Sequence, residues 1–315
     1  MSHTMGEEDK FFFDLNGFIV VRGALTGEEV DAMNRAIDNH RGDARERQGS
    51  VLKNAKDGSA MSASGSRWDL GGMLRWPESC FRKLLAHPNL SPYICSLVGE
   101  GYRLDHQPLV LLQSSGSEGF DLHGGPLSGD DGVPLGIFNP ELQYRFVNGT
   151  FFNSLLAMSV ALCDTSLGDG GFCVLPGSHK LNLPVPKAFS VGTLPQFKEY
   201  MHTPELKKGD VVFFSEATVH GALPWRASHE RRLALYRFAP FNFAYGRGYL
   251  DQWDGALALC TPRERAVLES PYATRLERPL ATAEGDRDGV SEPPVKKRAA
   301  AKKVHDEQVF GTTFF

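Results

Sequence analysis

The chain has 315 residues, a length that fits one large domain or two small ones. Hydrophobic residues make up 41% and charged residues 23%, as in an ordinary globular protein that can bury its own core. The formal net charge of -4 argues against a broad nucleic-acid-binding surface. No uninterrupted apolar run of about 18 residues is present, so we expect no membrane partner. The cysteines number five and have no CxxC spacing, which predicts free thiols in a reducing compartment, by default the cytoplasm.

The N-terminal part begins with the apolar stretch FFFDLNGFIVVRG, whose β-branched core lies at residues 18–21. This composition predicts a strand. Thr26 and Glu29 then form a capping-box pattern, which predicts that a helix begins there and runs to about His40.

Residues 41–75 are rich in Gly, Ser, Arg and Lys and show little periodicity, so they predict a long loop. Two helical pieces are expected at about 78–87 and 91–98. From residue 104 onwards the chain consists of short β-branched and aromatic runs separated by Gly, Pro and Asp: LDHQPLVLLQ, FFNSLLAMSVALCD, GFCVLPGSH, DVVFFSE, TVHGALPW and RRLALYRFAP. These runs predict a mainly β protein, an antiparallel sandwich or jelly roll with flanking helices packed outside.

Two segments stand apart from the strands. The glycine-rich segment 124–150 is long for a connection, which is typical of a lid or binding loop. We expect a single domain over residues 1–280, followed by a charged and disordered tail at 281–305. Residues 306–315 are apolar again, so we expect this end to dock on the domain.

Two histidines and an arginine are the candidate functional residues. His220 directly follows the apolar strand DVVFFSE, and Arg231 comes eleven residues later on the next predicted strand. His123 lies at the junction between a strand and the glycine-rich segment. Two imidazoles with open coordination positions suit Fe(II), and a buried arginine can bind a carboxylate through two hydrogen bonds. Gln113 ends the run PLVLLQ and could contact 2-oxoglutarate or the substrate, although an ordinary polar residue at a strand end is the favoured explanation.

The order of these residues and motifs along the chain resembles the phytanoyl-CoA dioxygenase family of Fe(II)/2-oxoglutarate enzymes. The order is His123, GDGGFCVLPGSHK (168–180), TVHGALPW and Arg231. The resemblance covers roughly residues 11–245. It implies a double-stranded β-helix and an enzyme that acts on a small molecule with O₂. It also implies that His123 and His220 bind iron and that Arg231 binds the distal carboxylate of 2-oxoglutarate.

The chain departs from the family pattern at one position. Gly125 stands where the family's His-x-Asp motif has the carboxylate that completes a two-histidine, one-carboxylate iron site. A halide could fill the gap, since halogenases of this superfamily have Ala or Gly there, and chloride would then be a further ligand. A carboxylate could instead come from elsewhere, which would make the protein a hydroxylase. The nearest aspartates in sequence are Asp121, Asp130, Asp131 and Asp105.

A third interpretation is a degraded iron site that only binds a ligand. The presence of His123, His220 and Arg231 together argues against it. Halogenation is therefore the favoured prediction, with His123, His220 and Gly125 as the catalytic positions. Hydroxylation with a recruited carboxylate such as Asp121 is the alternative, because Asp121 would share a strand face with His123. Neither the substrate nor the oligomeric state follows from the sequence.

Overall fold

A computed structural model gives the architecture of the protein. It describes residues 4–47, 55, 58–124, 142–183, 185–245, 255–271, 280–283, 290–291 and 300–311. The α-helices of this described part are α1 (Glu7–Asn16), α2 (Gly27–Asn39), α3 (Cys80–Lys83), α4 (Ser91–Val98), α5 (Lys187–Ser190), α6 (Phe197–Tyr200), α7 (Pro262–Val267) and α8 (Ala300–Phe310). None of the described helices combines the length and apolar character that a membrane-crossing segment requires.

Short strands make up most of the regular structure after residue 100. In chain order the strands are β1 (Phe18–Val21), β2 (Arg45–Glu46), β3 (Trp68–Leu70), β4 (Arg103–Leu104), β5 (Leu109–Gln113), β6 (Phe120–His123), β7 (Tyr144–Val147), β8 (Thr150–Asn153), β9 (Leu156–Ala161), β10 (Gly171–Val174), β11 (Val211–Ser215), β12 (His220–Leu223), β13 (Arg231–Ala239), β14 (Leu280–Ala281) and β15 (Val290–Ser291).

The strands form two facing antiparallel sheets. The larger sheet has the order β1-β11-β9-β13-β5-β3-β2, with β4 also paired to β13, and the smaller one has the order β10-β12-β6. Phe172 of the small sheet packs on Phe214 of the large sheet, with ring centroids 4.9 Å apart. The remaining strands pair as β7-β8 and β14-β15. This arrangement is the predicted mainly β architecture with helices outside.

Alternation along the strands separates the structural core from the interior between the sheets. On β13, Ala234, Tyr236 and Phe238 belong to the main core, which also contains side chains of α1, α2 and α4. Arg231 and Arg237 point to the other face, into the space between the sheets. A strand places successive side chains on opposite faces, so one strand serves both the core and a cavity.

The N-terminal prediction was only partly right. The strand at 18–21 is confirmed, but the preceding apolar residues lie in α1 and not in a strand. Gly17 ends this helix with φ +80, a left-handed conformation that glycine adopts without steric cost. The helix predicted from Thr26 is confirmed as α2, and its capping box is formed. The helices expected at 78–87 and 91–98 correspond to α3, a 3₁₀ turn (Leu84–Ala86) and α4.

Other predicted segments differ or fall outside the described residues. The loop predicted at 41–75 contains the short paired strands β2 and β3. Within the predicted lid, residues 125–141 lie outside the described residues, whereas β7 and β8 form a hairpin just after them. The boundaries predicted for the domain (1–280), the tail (281–305) and the apolar end (306–315) stay predictions. The described residues of the C-terminal part contain β14, β15 and α8.

Candidate metal centre

The two predicted iron ligands lie opposite each other on neighbouring strands of the small sheet. His123 is the last residue of β6 and His220 is the first of β12, and the antiparallel pairing aligns them as partners. Their ring centroids are 4.2 Å apart. Residues 97 positions apart in sequence are therefore brought together by one β-ladder.

Hydrogen bonds to the backbone orient both imidazoles in the same way. Nδ1 of His123 lies 3.0 Å from the carbonyl oxygen of Asp121, and Nδ1 of His220 lies 2.7 Å from that of Thr218. A carbonyl only accepts, so each Nδ1 carries the proton and each Nε2 keeps its lone pair for a metal. Burial, together with the neighbouring His123, lowers the pKa of His220 to about 3, so that this imidazole is neutral. Neutral imidazole is the form that binds metal.

A carboxylate completes the cluster. Glu216 follows β11 directly, in the turn that carries the chain from the large sheet to the small one. Its Oε2 lies 3.5 Å from Nε2 of His220, and its side chain is buried. Potential ligand atoms of His123, Glu216 and His220 all lie within 4.8 Å of one another. Two imidazoles and one carboxylate are a donor set that suits Fe(II).

The charge of Glu216 is fixed by its surroundings. Its Oε1 accepts a hydrogen bond of 2.5 Å from Nε of Arg237 on β13. Burial acts to raise the pKa of this carboxyl group, but Arg237 and the two histidines outweigh it and lower the pKa to about 2. Glu216 is therefore ionised at neutral pH and able to act as a ligand.

A close approach of two backbone segments explains why Gly124, the first glycine of the His-Gly-Gly sequence, is a glycine. It has φ +105, and a Cβ there would lie 2.4 Å from the carbonyl oxygen of Thr218 and 2.7 Å from that of Glu216. Only glycine allows this close approach of the two backbones. It holds the end of β6 against the segment that carries Glu216 and His220.

Arg231 lies buried in the same cavity. Its Nη1 donates a 2.6 Å hydrogen bond to Oε1 of Gln113, the residue opposite it on β5. A Cβ on Gly171 would lie 2.9 Å from its Nε, so this glycine of the GDGGF motif leaves room for the guanidinium. Burial lowers the pKa of Arg231 to about 10, which keeps it charged at neutral pH. No carboxylate of the described residues forms an ion pair with it.

One cavity of about 290 Å³ between the two sheets is lined by His123, His220, Gln113, Arg231 and Arg237. Its volume is at the small end of the range of ligand pockets, roughly 300–1,000 Å³. Apolar side chains form much of the wall, and the polar contacts come from His123, His220, Gln113 and several arginines. His123, His220, Gln113 and Arg231, all predicted from the sequence, therefore share one site.

The aspartates considered as recruited ligands lie elsewhere or are not described. Opposite His220 and Ala222, β6 has one extra residue, a bulge that turns both Phe120 and His123 into the cavity. Asp121 consequently does not share the face of His123, and its carboxylate accepts a 2.6 Å hydrogen bond from Ser59.

Of the other candidates, Asp105 is buried in an ion pair with Arg103 at 2.8 Å. Asp130, Asp131 and Gly125 lie outside the described residues.

Glu216 and its partner Arg237 were not among the residues predicted from the sequence. One signal could have found Glu216: it directly follows the run VVFFS and stands four residues before the candidate ligand His220. No such signal marks Arg237, which lies on a strand with two other arginines.

Comparison with known proteins supports the resemblance seen in the sequence. A profile of the phytanoyl-CoA dioxygenase (PhyH) family matches residues 140–233, a segment that contains Glu216, His220 and Arg231. His123 precedes it. Among curated protein sequences none matches the chain significantly.

Solved structures share the fold at low sequence identity. HygX from Streptomyces hygroscopicus, solved with nickel, 2-oxoglutarate and hygromycin B, is 21% identical with a TM-score of 0.60, covering 77% of this chain and 90% of HygX. The non-haem α-ketoglutarate-dependent epimerase SnoN from nogalamycin biosynthesis is 20% identical with a TM-score of 0.51, covering 76% of this chain and 86% of SnoN. The carbocyclase SnoK from the same biosynthesis is 18% identical with a TM-score of 0.53, covering 83% and 93%.

The shared fold confirms the predicted double-stranded β-helix, and the profile match confirms the resemblance to the phytanoyl-CoA dioxygenase family. The chain is thus similar to phytanoyl-CoA dioxygenases over residues 140–233, and in fold to α-ketoglutarate-dependent enzymes.

Proposed function

We propose that the protein uses Fe(II), 2-oxoglutarate and O₂ to oxidise a C–H bond of a small organic molecule. In the hydroxylation form of this reaction, the substrate R–H, O₂ and 2-oxoglutarate give R–OH, succinate and CO₂. Bound Fe(II) supplies the activation of O₂ that this chemistry needs. His123 and His220 would hold the metal through their Nε2 atoms.

The proposal rests mainly on the burial of the Arg231 guanidinium. A guanidinium buried to 6% exposure without a carboxylate partner among the described residues is costly unless a ligand supplies the anion. It lies in the same cavity as the two imidazoles, and Gln113 holds one of its nitrogens. The distal carboxylate of 2-oxoglutarate is the anion that the family resemblance implies. Gln113 is then a positioning residue for Arg231.

The remaining lining residues would bind the substrate and exclude water. Phe120, Phe172 and Phe214 lie around the histidines, and the Phe214 ring centroid is 4.6 Å from that of His220. An apolar wall around the metal favours an organic substrate whose reacting C–H bond is held away from bulk water. We expect neither nucleic acid nor membrane as a partner, and the cytoplasm remains the proposed location.

Halogenation is the second candidate outcome, with chloride as an additional ligand. Gly125 in place of the usual aspartate supports it. The presence of a different carboxylate, Glu216, beside His220 supports hydroxylation instead. We therefore rank hydroxylation first, which reverses the preference based on sequence alone.

The test is anaerobic binding of 2-oxoglutarate to the Fe(II)-loaded protein, followed by its metal-to-ligand charge-transfer absorption. We expect the band in the wild type and its loss in His220→Ala. Arg231→Gln should weaken 2-oxoglutarate binding by about 30-fold or more, because removing one partner of a buried charge pair costs at least about 2 kcal/mol.

Arg67→Gln is the matched control for Arg231→Gln. Arg67 lines the same cavity, but it already pairs with Asp69 at 2.9 Å, so its loss should change 2-oxoglutarate affinity much less. Equal effects of the two arginine variants, or no band in the wild type, would contradict the proposed function.

A further inference from the structure

We infer that Glu216 is the third protein ligand of the metal, so that the iron site is His123, Glu216 and His220. The inference rests on the proposed function, since it concerns the same site. Glu216 lies in the crossover between β11 and β12, and its carboxylate would take the place of the aspartate of the His-x-Asp pattern. Arg237 is the positioning residue of this ligand.

The interatomic distance fits a shared ion. Two atoms that each lie about 2.1 Å from one metal, at angles of roughly 90° or more, are about 3 to 4 Å apart. Nε2 of His220 and Oε2 of Glu216 are separated by 3.5 Å, and a potential ligand atom of His123 lies within 4.8 Å of each residue's ligand atom. The three donors converge from different backbone segments, as a compact coordination site requires.

The two oxygens of Glu216 have different partners. Oε1 accepts the hydrogen bond from Arg237, whereas Oε2 is the oxygen directed at His220. A ligating carboxylate commonly has its second oxygen held by a hydrogen bond in this way, which fixes its orientation. Arg237 also balances the negative charge of the buried carboxylate.

A simple ion pair with Arg237 is the competing explanation of Glu216. It accounts for the contact of Oε1 but not for the direction of Oε2. It also does not require Gly124, whose missing side chain lets the end of β6 lie against the backbone of Glu216 and Thr218. As an ion pair alone, Glu216 would influence metal affinity only indirectly.

Ligation of the metal by Glu216 would decide which group is transferred to the substrate. A carboxylate from Glu216 would occupy the coordination position that a halide needs in a halogenase. We would then expect hydroxylation of the substrate C–H bond, with O₂ and 2-oxoglutarate consumed and chloride neither bound nor consumed. A glycine at position 125 would be compatible with a hydroxylase, because the carboxylate ligand of the metal would come from another segment of the chain.

The test is Co(II) binding to the full-length protein without iron, followed by calorimetry and by visible absorption. Glu216→Gln should lower the affinity for Co(II) by more than about 100-fold, a larger loss than the about 10–100-fold that an outer partner of a ligand costs. His220→Ala should show a comparable loss. Asp121→Asn is the matched control, because it removes the carboxylate nearest to His123 in sequence and should leave the affinity unchanged.

Rescue by formate separates a ligand from an outer partner. In Glu216→Ala, added formate should restore Co(II) affinity and the visible spectrum, because a small carboxylate can enter the space left by the side chain. It should have no such effect in His220→Ala. If Glu216→Gln does not fold because Arg237 is left unpaired, the double variant Glu216→Gln/Arg237→Gln is measured in its place.

The outcomes distinguish the two proposals. Wild-type affinity in Glu216→Gln, a loss in Asp121→Asn instead, or no response of Glu216→Ala to formate would overturn the role of Glu216. In each of these cases a loss in His220→Ala would leave the proposed function intact. If the wild-type protein binds no Co(II), the proposed function itself is contradicted.

Discussion

Each histidine of the cavity is oriented by a carbonyl two residues before it. His123 uses Asp121 and His220 uses Thr218, so the ring orientation is set by the local backbone of β6 and β12. Side chains held in this way lose little conformational freedom when a metal binds. The geometry of the site is thus largely present before binding.

Gly124 provides a prediction at the residue scale. Gly124→Ala would place a Cβ 2.4 Å from the Thr218 carbonyl oxygen, and its φ of +105 is strained for alanine as well. We expect a loss of unfolding free energy of more than about 1 kcal/mol and a weaker metal site, because β6 must move away from Glu216. Urea denaturation and Co(II) titration measure the two effects.

Gly99 offers a matched control for this variant. It has a similar φ of +99, but a Cβ there would meet nothing within 4 Å. Gly99→Ala should therefore cost conformational strain alone and leave Co(II) affinity at the wild-type value. Similar metal affinities for the two alanine variants would contradict the role given to the close approach at Gly124.

At the scale of elements, a buried histidine joins α1 to the PGSHK turn. The Nε2 of His179 lies 3.0 Å from the carbonyl oxygen of Asp14 near the end of α1, and Lys180 forms an ion pair with the Asp14 carboxylate at 2.6 Å. Tyr144 of β7 packs edge-on against the His179 ring at 4.4 Å. His179 thus has a structural role, because it connects α1 to the PGSHK turn.

The buried position of His179 predicts a pH dependence of stability. Burial first, and then the nearby Lys180, lower its pKa from 6.5 to about 4. Between these values the unfolded chain binds a proton that the folded chain does not, so stability falls as the pH falls from 6.5 towards 4. The full effect is at most about 3 kcal/mol.

Urea denaturation between pH 7 and pH 4.5 measures this effect. His179→Gln should lose that part of the pH dependence, because the variant has no group that titrates there. Parallel pH profiles for the wild type and the variant would show that His179 does not contribute as described.

Elements with a strong local signal were predictable from the sequence. The capping box of Thr26 gave α2, and the apolar runs after residue 104 gave the strands, because both signals are local. Helix α1 was missed because its phenylalanines adjoin a true strand and only Gly17 separates the two. The bulge in β6 was also not predictable, since it depends on pairing with β12.

On the scale of the whole molecule, pairing between distant segments builds the site. His123, Gln113, His220 and Arg231 could be chosen from strand ends and family motifs. Glu216 and Arg237 could not, because their relation arises only when β11, β12 and β13 are placed in two facing sheets. The fold was therefore accessible from sequence pattern, whereas the full ligand set required the structure.

A crystal structure of the anaerobic protein with Fe(II) and 2-oxoglutarate, with anomalous data at the iron edge, tests the central claim most directly. The account predicts one iron peak bonded to Nε2 of His123, Nε2 of His220 and Oε2 of Glu216. It further predicts the distal carboxylate of 2-oxoglutarate on Arg231. An iron peak away from the two histidines would contradict the account, as would 2-oxoglutarate bound without contact to Arg231. A halide or the Asp121 carboxylate in the position of Glu216 would contradict the assigned ligand set.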